Sequence, residues 1–184
     1  MPSALVILAP GFEEIEAITV IDLLRRAEFA VTVAGTVAGP ITASRRTRHV
    51  ADTELDAVKD QDFDIVILPG GGEGTANLKQ DGRVREILTR QKKKNGWIGA
   101  ICAAPTVLEA HGLVDDGQKV TCHPTTQSAM PAGKLDGAAR VVISEKLITS
   151  LAAGSAMEFS YAIIKALAGR EMVEKVNRGV CARL

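Results

Sequence analysis

Trp97-Ile98-Gly99-Ala100-Ile101-Cys102-Ala103-Ala104-Pro105 contains the fold in miniature. Its first five residues form a mostly apolar run, too short for a helix and of the kind found in strands buried on both faces. Cys102, Ala103 and Ala104 are small enough for a tight turn, and Pro105 carries the fixed φ that suits the first turn of a helix. The segment therefore reads as strand, turn and helix start.

The same pattern recurs on either side. Leu5 to Ala9, Val31 to Ala34 and Ile65 to Leu68 are further apolar runs of strand length bounded by turn residues. Between them, Ile15, Ile18, Ile21 and Leu24 recur every three residues, as do Val84 and Ile87 with Leu88, and Lys92-Lys93-Lys94 suits a solvated helix C-terminus. Lys119 to Thr121, Val141 to Ile143 and Leu147 to Ser150 read as later strands, and Ala156 to Leu167 and Glu171 to Val176 as the last helices. Alternation of this kind predicts an α/β, doubly wound, mainly parallel sheet sandwiched by helices with right-handed crossovers. No linker, repeat or low-complexity stretch interrupts it, so residues 1–184 are expected to form one domain.

Composition narrows the function classes. With 46% hydrophobic and 24% charged residues the chain has the make-up of an ordinary globular protein. Its 22 basic residues balance its 22 acidic ones, which leaves no overall footprint for nucleic acid or an anionic membrane. Small molecules are the expected partners. The apolar start at Ala4 to Ala9 lacks a basic lead-in and is too short for a signal peptide or a span, so a cytoplasmic location is expected. Three cysteines without paired spacing argue against a disulfide framework and leave each thiol to be judged alone.

Ligands of open α/β sheets sit beyond the carboxyl ends of the strands. That directs attention to Pro10 to Glu16, Pro69 to Gly74 and Cys102 to Pro105. Cys102 falls where unpaired amide hydrogens at a helix start favour thiolate over thiol, and the thiolate is the nucleophile; a small buried cysteine with no chemistry is the competing reading. Pro69-Gly70-Gly71-Gly72-Glu73-Gly74 lacks the Gly-Lys-Ser/Thr of a phosphate loop, and Thr75 stands where a dinucleotide fingerprint wants glycine. It reads either as a plain flexible turn or as a set of amides able to hold an oxyanion beside the cysteine. Glu13, Glu14 and Glu16 open the first helix; Glu16, between Ile15 and Ala17, is the one placed to turn inward, where a nearby thiolate would raise its pKa. His123 follows Thr121-Cys122 and precedes Pro124, so it is a candidate acid or base at a strand end, with a structural role as its rival. Zinc on Cys102, Cys122 and His123 is disfavoured by the spacing, and no metal or other cofactor is expected.

Gly99-Ala100-Ile101-Cys102-Ala103-Ala104-Pro105 resembles the ThiJ/PfpI superfamily, specifically its Parkinsonism-associated deglycase branch, DJ-one. Ala4 to Gly11 with Glu13-Glu14-Ile15-Glu16, Asp64 to Gly71, Thr121-Cys122-His123-Pro124 and Ile148-Thr149-Ser150 match in the same order, so the likeness covers nearly the whole chain. It implies a flavodoxin-like, class I glutamine amidotransferase-like fold. It also implies Cys102 as nucleophile, Glu16 as the carboxyl on its sulfur, His123 as the nearby histidine, Gly70, Gly71 and Ala103 as oxyanion donors, Arg45 near the site and Arg26 near the seam of a two-fold homodimer formed through the first helix. Superfamily peptidases carry histidine directly after the cysteine; Ala103 stands there, which disfavours peptidase activity. Leu151-Ala152-Ala153 replaces the branch's Arg-Gly-Pro ahead of Gly154, and Ala43 and Val50 stand where some relatives carry additional cysteines.

The resemblance implies cofactor-free chemistry on small reactive aldehydes such as methylglyoxal or on glycated groups, through a hemithioacetal at Cys102. A redox-sensing, stress-protective chaperone that works through oxidation of Cys102 to sulfinate, without turnover, is the alternative.

Overall fold

A computed structural model describes residues 1–182. The apolar runs become strands β1 (Ser3–Leu8), β2 (Ala30–Gly35), β6 (Ile65–Leu68), β7 (Trp97–Ile101), β8 (Val141–Ser144) and β9 (Leu147–Ser150). Three two-residue strands, β3 (Ile41–Thr42), β4 (Arg48–His49) and β5 (Thr53–Glu54), escape the sequence pattern because each is too short to show a period. The main sheet runs in the order β5-β2-β1-β6-β7-β9-β8, with β8 antiparallel to β9 and every other pairing parallel, while β3 and β4 form a separate antiparallel hairpin.

Side-chain alternation along the strands builds two cores. In β1, Ala4, Val6 and Leu8 point to one face and Leu5 and Ile7 to the other. The first face is covered by α1 (Glu14–Arg26), α6 (Ala156–Ala168) and α7 (Arg170–Val180) through Val20, Leu24, Phe159, Ile163 and Val176. The second is covered by α2 (Leu55–Val58), α3 (Gly72–Gln80), α4 (Gly82–Lys93) and α5 (Pro105–Ala110) through Leu55, Leu78, Ile87 and Val107. Both faces are thus dry, which is why the strands carry no polar alternation. No helix among the described residues is long and apolar enough to cross a membrane.

One expectation needs correction. Lys119 to Thr121 does not join the sheet: it makes one isolated bridge, Val120 to Leu135, and the Thr121 N–H donates to the Thr149 hydroxyl instead of a neighbouring strand. The three-residue apolar spacing does fall on a helix, α1, but it does not follow one face of it. Each step of three residues slips about 60° against a 3.6-residue turn, so Ile15 and Leu24 end on opposite faces. Leu24 is buried, while Ile15 and Ile18 are 58% and 42% exposed.

Candidate active site at the carboxyl end of the sheet

Because β1, β6, β7 and β9 are adjacent, the loops at their carboxyl ends are brought edge to edge. Cys102 is the first residue after β7 and adopts φ +63, the left-handed region that side chains other than glycine avoid at a cost of roughly 1–2 kcal/mol. Main-chain bonds impose that conformation: the Cys102 N–H donates to the Ser150 carbonyl at 2.9 Å, and the Cys102 carbonyl accepts from the His123 N–H at 2.8 Å. The strained turn lifts the half-buried thiol out of the sheet. α5 begins three residues later, at Pro105, and is only six residues long. The N–H groups that hydrogen-bond the sulfur are accordingly those of Gly71 and Ala103, and not the opening amides of that helix.

Glu16 approaches from α1. Its N–H is capped by the Glu13 carboxylate at 2.8 Å, which starts the helix and turns the Glu16 side chain inward. The residue is 0% exposed, and its Oε2 accepts the Gly70 N–H at 2.8 Å. Among the described residues Oε1 has no conventional hydrogen-bond partner. The polar group that answers the carboxyl is the Cys102 thiol.

The glycine run is therefore more than a flexible turn. A Cβ on Gly70 would lie 2.7 Å from both Cys102 Cβ and Glu16 Oε2, and one on Gly71, which has φ +93, would strike the Gly11 carbonyl oxygen. Only bare backbone lets the three loops close on one another. We expect Gly70→Ala to lose about 1–3 kcal/mol in urea unfolding, because the added methyl has rigid neighbours on three sides.

Burial raises the Glu16 carboxyl to about 7, against smaller downward pulls from the Cys102 thiol and the Gly70 amide. The sequence pointed to a neighbouring thiolate as the cause; desolvation comes first. Burial also pushes the Cys102 thiol up, to about 12, with the charge and hydrogen bond of the Glu16 carboxylate adding to the rise and the Gly71 and Ala103 amides opposing it. This reverses the sequence expectation of a thiol acidified on its own. The two groups are coupled: burial raises both, and a negative charge on Glu16 opposes ionisation of the Cys102 thiol.

His123 caps a short 3-10 helix, Pro124–Ala129. Its Nδ1 accepts the Thr125 N–H at 3.3 Å and lies 2.8 Å from the Thr125 hydroxyl, so the neutral ring carries its hydrogen on Nε2. The main-chain bond to Cys102 fixes the residue beside the site. Arg45 is held by its backbone: its N–H donates to Glu14 Oε1 at 2.7 Å, while the side chain is exposed. Arg26 lies at the far end of α1, paired with Asp22 on the same helix, and does not meet the other candidates.

Sequence reasoning missed two contributors. Glu14 accepts from the Ser44 hydroxyl, the Thr47 hydroxyl and the Arg45 N–H; burial would raise its pKa, but these donors hold it down to about 2. Asn77 donates from Nδ2 to the Pro10 carbonyl at 2.9 Å and fixes the loop after β1. No sequence signal marks either, since both act on partners more than twenty-nine residues away. Among the described residues there is no group of three or more His, Cys, Asp or Glu placed to hold a metal.

The DJ-1/PfpI family model matches residues 2–166. The chain is 42% identical over 183 residues to the glutathione-independent glyoxalase DJR-1.2 of Caenorhabditis elegans, covering 97% of this chain and 96% of that one. It is 43% identical over 179 residues to the Parkinson disease protein 7 homolog of Danio rerio, covering 95% and 94%. The structure of oxidized DJ-1 from Toxoplasma gondii aligns with a TM-score of 0.96 at 33% identity, covering 100% of both chains.

Proposed function

Because the chain belongs to the DJ-1/PfpI family, we propose that it is a cofactor-free enzyme that converts small α-oxoaldehydes such as methylglyoxal to hydroxy acids, with Cys102 as nucleophile. The observation that carries this reading is the buried Glu16 carboxyl, whose unpartnered Oε1 meets a thiol held at φ +63. A proton on Oε1 relieves that oxygen and leaves the sulfur as a thiolate accepting from Glu16, Gly71 and Ala103.

The thiolate attacks the aldehyde carbon, forming a C–S bond; the new oxyanion takes a proton from Glu16, giving the hemithioacetal. Glu16 carboxylate then removes the hydrogen on that carbon. The resulting enediol is reprotonated at the neighbouring carbon, which leaves a thioester. Water opens the thioester, releasing lactate from methylglyoxal and restoring the thiolate. One carbon is oxidised and its neighbour reduced, so no external redox partner is required. The Gly71 and Ala103 amides supply oxyanion donors, and Nε2 of His123 is the second proton carrier. A related deglycase activity would apply the same thiolate to early adducts of these aldehydes. Hydroxy-acid formation by the wild type, compared with Cys102→Ser, tests the reading.

A second reading draws on the same donors. A sulfinate on Cys102 would receive the Glu16 proton and the two amides, and one similar protein, from Toxoplasma gondii, has been solved in an oxidized form. Selective gain of two oxygens on Cys102 under mild peroxide, with Cys122 and Cys181 spared, is its signature in mass spectrometry.

The protein is further proposed to act as a two-fold homodimer. Ile15 and Ile18 form an exposed apolar face on α1, the helix that carries Glu16, with Arg26 at the end of the same seam. Ile15→Asp should shift the dimer to monomer in sedimentation, weakening association on the order of 10²-fold or more, because each copy loses a buried isoleucine worth roughly 1.5–3 kcal/mol.

A further inference from the structure

The hairpin of β3 and β4 is fastened to the wall of the site. The Gly11 N–H donates to the Thr42 carbonyl and the Ser44 N–H to the Phe12 carbonyl, both at 2.8 Å. Glu14 binds Ser44, Arg45 and Thr47, and the Phe12 and His49 rings meet edge to face at 5.3 Å. The segment it grips is the one whose other side closes on the glycine loop: the Glu13 N–H donates to the Gly70 carbonyl and the Gly74 N–H to the Gly11 carbonyl. The hairpin is thus one loop away from the sulfur and held from several directions.

What it presents there is positive. Arg45, Arg46 and Arg48 fall within four residues, all three are exposed, and none makes an ion pair among the described residues. The nearby carboxylates are largely committed inward. Glu13 caps α1 and Glu14 binds the hairpin itself, while Glu73 is exposed in the first turn of α3. The Arg45 main chain is anchored to Glu14, and Arg46 sits at the hairpin tip with φ +67. Three long, exposed cationic side chains without an ion pair among the described residues, carried on a hairpin whose main chain is bonded to the loop flanking the site, are a means of drawing in an anion.

We propose that the hairpin makes the enzyme selective for α-oxoaldehydes that carry a carboxylate at the end remote from the reacting carbonyls, with Arg46 and Arg48 attracting that carboxylate. This rests on the function proposed above and adds the substrate class. The chemistry is unchanged: the thiolate adds to the aldehyde carbon, the hydrogen moves to the neighbouring carbon through the enediol, and water releases the hydroxy acid. The carboxylate takes no part in bond making.

The test compares methylglyoxal with 4,5-dioxopentanoate, an α-oxoaldehyde bearing a carboxylate, in the wild type and in an Arg46→Asn, Arg48→Gln double variant. Asparagine tolerates positive φ, and neither arginine has a partner to lose, so the fold is preserved. The wild type should favour the charged substrate in kcat/KM by about tenfold or more at low salt. That preference should shrink as the Debye length contracts from about 30 Å at 0.01 M to about 8 Å at 0.15 M ionic strength. The double variant should lose most of the preference and keep its methylglyoxal rate. Unaltered methylglyoxal turnover with no preference, or with one indifferent to salt and to both substitutions, overturns the role of the hairpin alone. Failure to form hydroxy acid from either aldehyde overturns the underlying reading and the substrate class together.

Discussion

Cys102→Ser should form no more lactate from methylglyoxal than the uncatalysed solution does, a loss on the order of 10³-fold or more. Serine keeps the volume and the main-chain bonds to Ser150 and His123 that hold the residue at φ +63, so the turn survives. What disappears is a nucleophile that can be ionised by a carboxyl near neutrality; a hydroxyl is far too weak an acid to give its proton to Glu16. Unchanged urea unfolding alongside abolished turnover would separate this chemical effect from misfolding. Retained turnover would place the reaction at some other group.

Glu16→Gln should reduce kcat/KM by about 10²–10⁴-fold and, at the same time, stabilise the protein. Glutamine fits the same space and still offers an oxygen to the Gly70 N–H, but it has no proton to share with the sulfur. The stability effect follows from linkage. The carboxyl ionises near its ordinary 4.5 in the unfolded chain and near 7 in the folded one, so between these values the native state holds the extra proton. Wild-type stability is then full below about 4.5, declines as pH rises through the window to about 7, and stays lower above it. The deficit is about 3 kcal/mol, on the order of 1.4 kcal/mol for each pH unit of the window. Denaturant unfolding at pH 5 and pH 8 should show this decline in the wild type and not in the variant. A variant that is less stable than wild type at pH 8 would show that Glu16 is not held against its own burial cost.

Much of this arrangement was legible in the sequence because of where the strands lie. Burial on both faces makes β6, β7 and β9 continuous apolar runs, and Ile65–Leu68, Trp97–Ile101 and Leu147–Ser150 are bounded where the sequence places them. The same logic misled at Lys119 to Thr121, where Val120 and Thr121 are buried by packing against β9 and not by strand pairing. The spacing of Ile15, Ile18, Ile21 and Leu24 marked a helix but not its buried face, since a period of three is not the period of a helix. For the site, Cys102 was marked by its strand–turn–proline context. The inward turn of Glu16 was marked by its neighbours Ile15 and Ala17, but its partner there, the Gly70 amide fifty-four residues away, is one that no local pattern can reveal. The sign of the cysteine's shift depends on burial together with that same carboxyl, and this too is a property of the assembled loops.

In the proposed mechanism Glu16 and Cys102 share one proton near neutrality, so that the sulfur is nucleophilic only as half of a pair. The direct test is the pH dependence of Cys102 alkylation in the wild type, read on the Cys102 peptide by mass spectrometry. Alkylation should rise to half near pH 7, the value to which burial raises the Glu16 carboxyl, because the proposed transfer of one proton between the two groups makes the sulfur nucleophilic once the pair carries a charge. A half-rise at about 8.5, the value of an unassisted thiol, or none before about 12, the value to which burial pushes the Cys102 thiol, would mean that Glu16 does not take the proton from the sulfur.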